Sequence, residues 1–222
     1  MARGGDVKAA RELKPVSVVE ALEDALAGRI IDGEFGPGEY LREIELTEEY
    51  GVGRNTLRAA FDGLVRRGLL RRARNRGVFV PQFTAEDLVE IYDLRTALEV
   101  QAFRTVAARK TVPESAREAM ARYDELTEGS PRRLLVEADL AFHRAIVTAA
   151  RNARLARVHH QLEGEIQLCL AQLVETHATG RELAAQHAGL LAALDSGRPA
   201  TAEAAIRRHL EDAATRLVPT AG

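Results

Sequence analysis

Four polar residues interrupt apolar helical patterns in the C-terminal half of this chain. Asp139 and His143 are four residues apart, so a helix places both on the face where apolar residues otherwise recur. His187 lies within the apolar stripe of a later helix pattern, and His209 lies at the edge of the stripe in the last one. Buried polar groups need partners, and one carboxylate with three imidazoles can hold a divalent transition metal such as Zn, Ni or Mn.

These four residues also have a simpler interpretation, in which each is a separate core or boundary residue with its own hydrogen bond. The residues alone leave this alternative open. The remaining histidines lack the spacing and are expected at the surface or its boundary: His159, His160 and His177. The single cysteine, Cys169, lies in an apolar run and is expected to be a packed side chain rather than a redox sensor.

A dense basic segment lies in the N-terminal half of the chain. Residues 53–77 carry eight bases and one acid, although the net charge of the whole chain is −2. All eight bases are arginine, whose guanidinium group suits bidentate contact with phosphate and guanine. A solvated helix face with scattered arginines is the alternative. The clustering predicts a surface that binds nucleic acid.

The elements around this segment are those of a helix-turn-helix. Apolar residues at helical spacing predict a first helix over about 16–32. Two shorter helices follow at about 43–50 and 54–67, joined by a turn that contains Gly51. The first turns of the second short helix carry the polar side chains that such proteins use to read bases: Arg54, Asn55, Thr56 and Arg58. Asn55 and Thr56 could equally be ordinary residues of a helix start.

Beyond this helix the pattern changes to that of two short strands. Residues 69–72 and 77–80 are predicted to pair as a hairpin, with 73–76 as the turn and Gly77 free to adopt a positive φ. A basic hairpin directly after a recognition-type helix is typical of a wing. Residues 14–81 are therefore predicted to form a winged helix-turn-helix that binds DNA.

The rest of the chain has only helical patterns, so the fold class is predicted to be mainly α. Residues 84–219 are expected to form an antiparallel bundle, and residues 1–13 a flexible tail. Six helices are predicted in the bundle, at about 84–110, 113–128, 131–150, 152–178, 179–196 and 199–217.

The composition excludes several classes of protein. Hydrophobic residues make up 46% of the 222 residues and charged residues 29%, which is typical of a folded globular protein. No apolar run approaches the ~20 residues that a membrane-spanning helix needs, so no membrane partner is expected. The lone cysteine and the lack of a secretory signal pattern indicate a cytoplasmic protein.

Three segments of the N-terminal half resemble the DNA-binding domain of GntR-family regulators. They are GPGEYL at 36–41, LTEEYGVGRNTLRAA at 46–60 and RGVFV at 76–80. Gly53 departs from the family pattern, which usually has Ser or Thr there, and it cannot supply a side-chain cap for the helix.

This resemblance implies contacts in both grooves of DNA. Arg54, Thr56 and Arg58 are implied to meet bases in the major groove, while wing residues near 74–77 reach the minor groove. The wing residues concerned are Arg74, Arg76 and Gly77. We expect a homodimer on a palindromic double-stranded operator, because two reading helices then enter successive major grooves.

The C-terminal half resembles the FadR-type domain of the same family, called FCD. The resemblance rests on DLAFH at 139–143, Asn152, QH at 186–187 and HL at 209–210. It implies that Asp139, His143, His187 and His209 bind a metal, which a small organic acid effector reaches. Gln186 departs from the acid that often precedes the histidine.

Arg95 matches the arginine that lies near the metal cavity in relatives, and it could hold the effector's carboxylate. A salt bridge with Glu99, one helical turn along, is the alternative role for this side chain.

The predicted function is that of a ligand-responsive transcriptional repressor and not of an enzyme. The sequence has no Gly-rich phosphate loop of the Walker or Rossmann type and no nucleophile elbow. The candidate metal ligands leave one enzymatic alternative, a mononuclear metalloenzyme or oxygenase of the helical bundle. The attached DNA-reading segment favours the regulator.

Overall fold

The structure is a computed structural model that describes residues 17–127, 129–176 and 180–217. Within these ranges the chain forms nine helices and one two-stranded sheet, so the predicted mainly α fold class is confirmed. The elements in chain order are α1 (Val18–Ile31), α2 (Glu43–Tyr50), α3 (Arg54–Arg66), β1 (Arg71–Ala73), β2 (Gly77–Phe79), α4 (Ala85–Arg109), α5 (Glu114–Asp124), α6 (Arg132–Ala149), α7 (Ala153–Thr176), α8 (Gly180–Asp195) and α9 (Pro199–Leu217). The predicted tail at 1–13 lies outside the described residues.

Helix α1 begins two residues later than the apolar pattern suggests, because Ser17 serves as its cap. The Ser17 hydroxyl accepts a hydrogen bond from the Glu20 backbone N–H, and the Glu20 carboxylate accepts one from the Ser17 N–H. This reciprocal arrangement satisfies two amide groups that a helix start otherwise leaves unpaired.

Helix α3 is held by a buried apolar face against α1. Leu57 and Phe61 are almost fully buried and point away from the arginines, as the sequence pattern predicted. The helix starts at Gly53 without any side-chain cap. Helix α2 has the predicted bounds and ends at Gly51, whose left-handed conformation (φ 62°) suits a residue without Cβ.

Strands β1 and β2 form the predicted antiparallel wing, with Arg72 opposite Val78. Gly77 has a φ of 88°, as expected for the residue after the turn. Strand β1 begins at Arg71, two residues later than predicted. The reason is that the N–H groups of Leu69 and Leu70 both donate to the Leu64 carbonyl near the end of α3. These two leucines are buried in the core instead of extending the strand.

A third segment, not predicted from the sequence, joins the wing. Tyr40 pairs with Phe79 as an isolated antiparallel bridge, and the Leu41 N–H donates to the Val78 carbonyl at 3.0 Å. The aromatic rings of Tyr40 and Phe79 pack with their centres 5.3 Å apart. The chain before α2 therefore fixes one side of the wing.

The six predicted C-terminal helices are all present as α4 to α9. Helix α4 packs along α9 and also contacts α6, α7 and α8, which makes it central to the bundle. Helix α5 ends at Asp124, four residues before the predicted end, where the Leu126 N–H bonds back to the Tyr123 carbonyl in a tighter turn. No helix among the described residues is long and apolar enough to cross a membrane.

The winged segment packs directly on the helical bundle. Helix α1 contacts α6 and α7, and Asp32 at its end accepts hydrogen bonds from the backbone and side chain of Arg133. Helix α7 approaches the turn after α3 so closely that a Cβ added at Gly164 would lie 1.7 Å from the Arg67 carbonyl oxygen. This contact is possible because residue 164 has no side chain.

Candidate functional site

Three helices bring the four candidate metal ligands together inside the bundle. Helix α6 carries Asp139 and His143, α8 carries His187 and α9 carries His209. One ligand atom from each residue lies within 4.8 Å of the others. The first three residues are buried and His209 is partly buried. The metal role of the four residues stays a prediction, but the structure places them in one cluster.

The hydrogen bonds behind two of the rings determine which nitrogen faces the cluster. His143 Nδ1 lies 2.5 Å from a carboxylate oxygen of Glu99, and His187 Nδ1 lies 2.8 Å from the Leu183 carbonyl oxygen. Both partners can only accept, so both Nδ1 atoms carry the hydrogen in the neutral rings. Each ring then presents the lone pair of Nε2 to the centre of the cluster.

When both rings are neutral, these lone pairs face one another without a hydrogen between them. The Nε2 atoms of His143 and His187 are 3.2 Å apart, and Asp139 Oδ1 lies 3.1 Å from the latter. Among the described residues, neither Asp139 oxygen has a hydrogen-bond partner, and neither does His209 Nδ1. A cation at the centre could take one ligand atom from each of the four residues, and the mixed nitrogen and carboxylate set suits Zn, Ni or Mn.

The electrostatic environment favours the protonation states that a metal ion requires. Burial alone would raise the pKa of Asp139, but His143 and His187 in their protonated forms, together with Arg95, hold that pKa below its usual value. A bound cation would supply the positive charge in place of the ring protons. Burial and the neighbouring rings of His187 and His143 hold the pKa of His209 well below its usual value. An ionised carboxylate and neutral imidazoles are the forms that coordinate metals.

Arg95 lies beside this cluster and is 1% exposed. Its Nε donates to Glu99 at 2.8 Å, so the salt bridge with Glu99 that the sequence suggested is present. Its two terminal nitrogens have no hydrogen-bond partner in the described part of the chain, and Nη2 lies 3.6 Å from Asp139. Arg95, Asp139 and His209 line one small cavity of about 10 Å³, which has room for about one water molecule, so the cavity would have to open for an anion to reach those two nitrogens.

The prediction that His159 lies at the surface or its boundary is wrong. This side chain is 1% exposed, and its Nε2 is 3.2 Å from Glu99. The missed signal is its place on the apolar stripe of α7, four residues after Leu155 and three before Leu162. His160 is exposed as predicted, Cys169 is packed in the core, and His177 lies outside the described residues.

Sequence analysis also missed two buried tyrosines near the cluster. The ring of Tyr123 lies 5.3 Å from that of His187, and the guanidinium carbon of Arg95 lies 5.6 Å from the centre of the Tyr92 ring. Neither tyrosine hydroxyl has a hydrogen-bond partner within the ranges that the structure describes. Burial raises the pKa of both hydroxyls, so they remain hydrogen-bond donors at neutral pH.

The candidate DNA-reading residues lie at the start of α3. Arg54, Asn55 and Arg58 are exposed, and Thr56 is partly exposed. Arg58 is not free, because its Nη2 lies 3.0 Å from the Glu43 carboxylate of α2. Arg54 has no acidic partner among the residues that the structure describes.

Acidic neighbours neutralise part of the basic segment and leave the rest exposed. Besides Arg58, three of its arginines form ion pairs, namely Arg67 with Asp24, Arg71 with Glu165 and Arg72 with Asp62. Arg74 and Arg76 are exposed at the turn of the wing, without an acidic partner in the described part of the chain. Unpaired positive charge therefore remains at the start of α3 and at the wing tip.

Comparison with known protein families agrees with this two-part arrangement. Residues 18–80 match the bacterial regulatory proteins of the gntR family, and residues 90–212, more than half of the chain, match the FCD domain. The chain belongs to the GntR family.

Individual relatives of this GntR protein agree with the assignment. The relative named "Probable D-xylose utilization operon transcriptional repressor", from Paenarthrobacter nicotinovorans, is 31% identical over 201 residues, covering 90% of this chain and 88% of the relative. A GntR regulator from Rhodococcus sp. RHA1 of known crystal structure is 27% identical with a TM-score of 0.74, covering 92% of this chain and 99% of that one. The protein is thus a DNA-binding transcription regulator with an FCD ligand-binding domain, and not an enzyme.

Proposed function

We propose that this GntR protein is a repressor that senses a small carboxylate at a divalent metal ion held by Asp139, His143, His187 and His209. The observation that carries the proposal is the convergence of the Nε2 atoms of His143 and His187, 3.2 Å apart, and the Asp139 carboxylate, whose Oδ1 lies 3.1 Å from the second of them. Such a set is costly to bury without a cation, because each acceptor has lost its water. The metal would supply open coordination positions for the effector.

Arg95 supports a carboxylate as the effector. Its two terminal nitrogens are buried and lack hydrogen-bond partners among the described residues, and Nη2 lies 3.6 Å from Asp139. A carboxylate bound at the metal could accept hydrogen bonds from both, which is the geometry that guanidinium groups prefer. The FCD domain of the chain is the part that binds ligands, so this pocket is the natural place for the effector.

DNA would be bound by the start of α3 and by the wing. We assign base contacts in the major groove to Arg54, Asn55, Thr56 and Arg58, and minor-groove contacts to Arg74, Arg76 and Gly77. A cytoplasmic homodimer would place two α3 helices in successive major grooves of a palindromic operator. Repression is also the role named for the Paenarthrobacter relative.

The effector would act through the contacts between the two parts of the chain. Helix α6 carries two of the metal ligands and also contacts α1, while α7 lines the cavity and contacts the turn after α3. An effector that binds more tightly to one arrangement of these helices shifts the positions of the two winged helix-turn-helix segments in the dimer. Operator affinity then depends on the effector.

The test uses the full chain and a His187→Ala, His209→Ala double variant. We expect the wild-type protein to retain a transition metal in elemental analysis and to shift DNA from its own promoter region. The double variant should lose the metal and still shift this DNA. Small mono- and dicarboxylates should change the DNA shift of the wild-type protein but not that of the double variant. The matching amides should change neither.

His160→Ala is the matched control for this experiment, because His160 is exposed on α7 and away from the cluster. Its metal content should equal that of the wild-type protein. Unchanged metal content in the double variant would overturn the metal site. Loss of DNA binding in the double variant, with its fold intact, would show that the metal serves the DNA-reading segment directly.

A further inference from the structure

One buried carboxylate of α4 contacts both halves of the proposed sensor. Glu99 is 0% exposed, and its Oε2 lies 2.5 Å from His143 Nδ1. Its Oε1 accepts from Arg95 Nε at 2.8 Å and lies 3.2 Å from His159 Nε2. A single side chain therefore touches a proposed metal ligand, the proposed effector anchor and a histidine of α7.

The three histidines of the cluster differ in what orients them. His187 donates from Nδ1 to the Leu183 carbonyl of its own helix, so the orientation of this ring is fixed within α8. His209 Nδ1 has no hydrogen-bond partner among the residues described by the structure. His143 depends on a side chain from another helix, because Glu99 is the group that its Nδ1 contacts.

We propose that Glu99 is the positioning residue of this site. It holds His143 as the tautomer with hydrogen on Nδ1, so that Nε2 faces the metal position. It also anchors Arg95 through Nε, so that Nη2 stays beside Asp139. The proposal rests on the metal and carboxylate function given above, and it adds that one carboxylate prepares both binding partners.

The physical basis is the ordinary role of carboxylates behind metal-bound histidines. A carboxylate that accepts from the far nitrogen fixes the tautomer and makes the near nitrogen a better ligand. Loss of such a group typically lowers metal affinity by roughly 10- to 100-fold. Here the same loss also removes the one side-chain hydrogen bond that Arg95 makes within the described residues and leaves it only the longer contact of Nη2 with Asp139.

The first test measures the binding of Zn²⁺ and Ni²⁺ alone to the full chain by competition with a chelating dye. Glu99→Gln should weaken the affinity on the order of 10- to 100-fold, because a neutral amide is a weaker acceptor and cannot accept with both of its terminal atoms. Glu163→Gln is the control, since Glu163 is also a buried carboxylate near His159 but contacts none of the four proposed ligands. Its affinity should stay within threefold of the wild type.

The second test needs no variant and no metal. Nitrogen chemical shifts of ¹⁵N-labelled histidine in the metal-free wild-type chain should show His143 protonated on Nδ1 and bare on Nε2. A hydrogen on His143 Nε2 would overturn the proposal. So would a Glu99→Gln protein that binds metal as tightly as the wild type, or a Glu163→Gln protein whose metal affinity falls as much as that of Glu99→Gln. If the wild-type chain bound no transition metal, the proposed function would fail, whereas the His143 tautomer would still decide the role of Glu99.

Discussion

The guanidinium group of Arg58 lies 3.0 Å from the carboxylate of Glu43, so an ion pair links the helix assigned to DNA reading with the helix before it. The Arg58 side chain is 58% exposed and that of Glu43 is 28% exposed. This pair raises the pKa of Arg58, through its hydrogen bond with Glu43. Before Arg58 can contact DNA, the carboxylate must be displaced or must share the guanidinium group.

Glu43→Gln should therefore strengthen operator binding. The exposed pair is weak in water, so we expect affinity to rise by roughly two- to fivefold at low salt. Fluorescence anisotropy with labelled operator DNA measures this change. Glu48→Gln is the control, because Glu48 is an exposed acid of the same helix for which the structure gives no ion pair with an arginine of α3. Equal gains from both variants would mean that net charge, and not the Arg58 pair, determines the effect.

Arg58→Ala should remove specific recognition. A bidentate contact with a base typically accounts for a factor on the order of 10 to 100 in affinity, so the variant should bind operator that much more weakly. Its affinity for unrelated DNA should change far less. Arg66→Ala, at the far end of α3, is the matched control and should keep most of the specificity. Normal operator shifts by the Arg58 variant would refute the recognition-helix assignment.

Glu163 should make stability depend on pH in the acidic range. Burial alone would raise its pKa, but hydrogen bonds with His159 and Arg144 outweigh this and lower the pKa to about 2. A lowered folded-state pKa means that this stabilisation is present above the usual pKa of 4.5 and is lost as the pH falls towards about 2.

Urea unfolding of metal-free protein between pH 6 and pH 3.5 tests this expectation, because the pKa of a Glu in the unfolded chain, about 4.3, lies between these two values. Below the unfolded-state pKa, the free energy of unfolding of the wild type should fall by up to about 1 kcal/mol more per pH unit than that of Glu163→Gln. Parallel pH profiles of the two proteins would contradict the lowered pKa.

Gly164→Ala should weaken the contact between the bundle and the winged segment. Its Cβ would lie 1.7 Å from the Arg67 carbonyl oxygen, and a backbone atom cannot move aside as a flexible side chain would. We expect the free energy of unfolding to fall by roughly 1–3 kcal/mol, the usual range for overpacking.

Gly189→Ala is the control for that substitution. Gly189 also lies in a helix, and an added Cβ meets nothing within 4 Å. Alanine there should raise the free energy of unfolding by about 0.5–1 kcal/mol through its better helix propensity. Denaturant titration measures both variants, and a Gly164→Ala protein as stable as the wild type would show that the two parts separate readily.

Much of the fold could be predicted because local patterns determine it. The apolar period located all six helices of the bundle, and the bounds of α2 agree with the prediction. Turn chemistry predicted the positive φ of Gly77. The interruption of apolar stripes by Asp139, His143 and His187 correctly indicated side chains directed into the bundle, because a helical repeat fixes which face a residue occupies.

The sequence by itself thus determined the helices, the basic wing and the inward position of the candidate ligands. Only the tertiary structure decided that Glu99 meets both His143 and Arg95, that His159 is buried against it, and that Gly164 contacts the turn after α3. The physical reason is that periodicity specifies the face of a helix but not the side chain opposite that face. Partners on different helices are brought together by packing of the whole core, which no local stretch of the chain encodes.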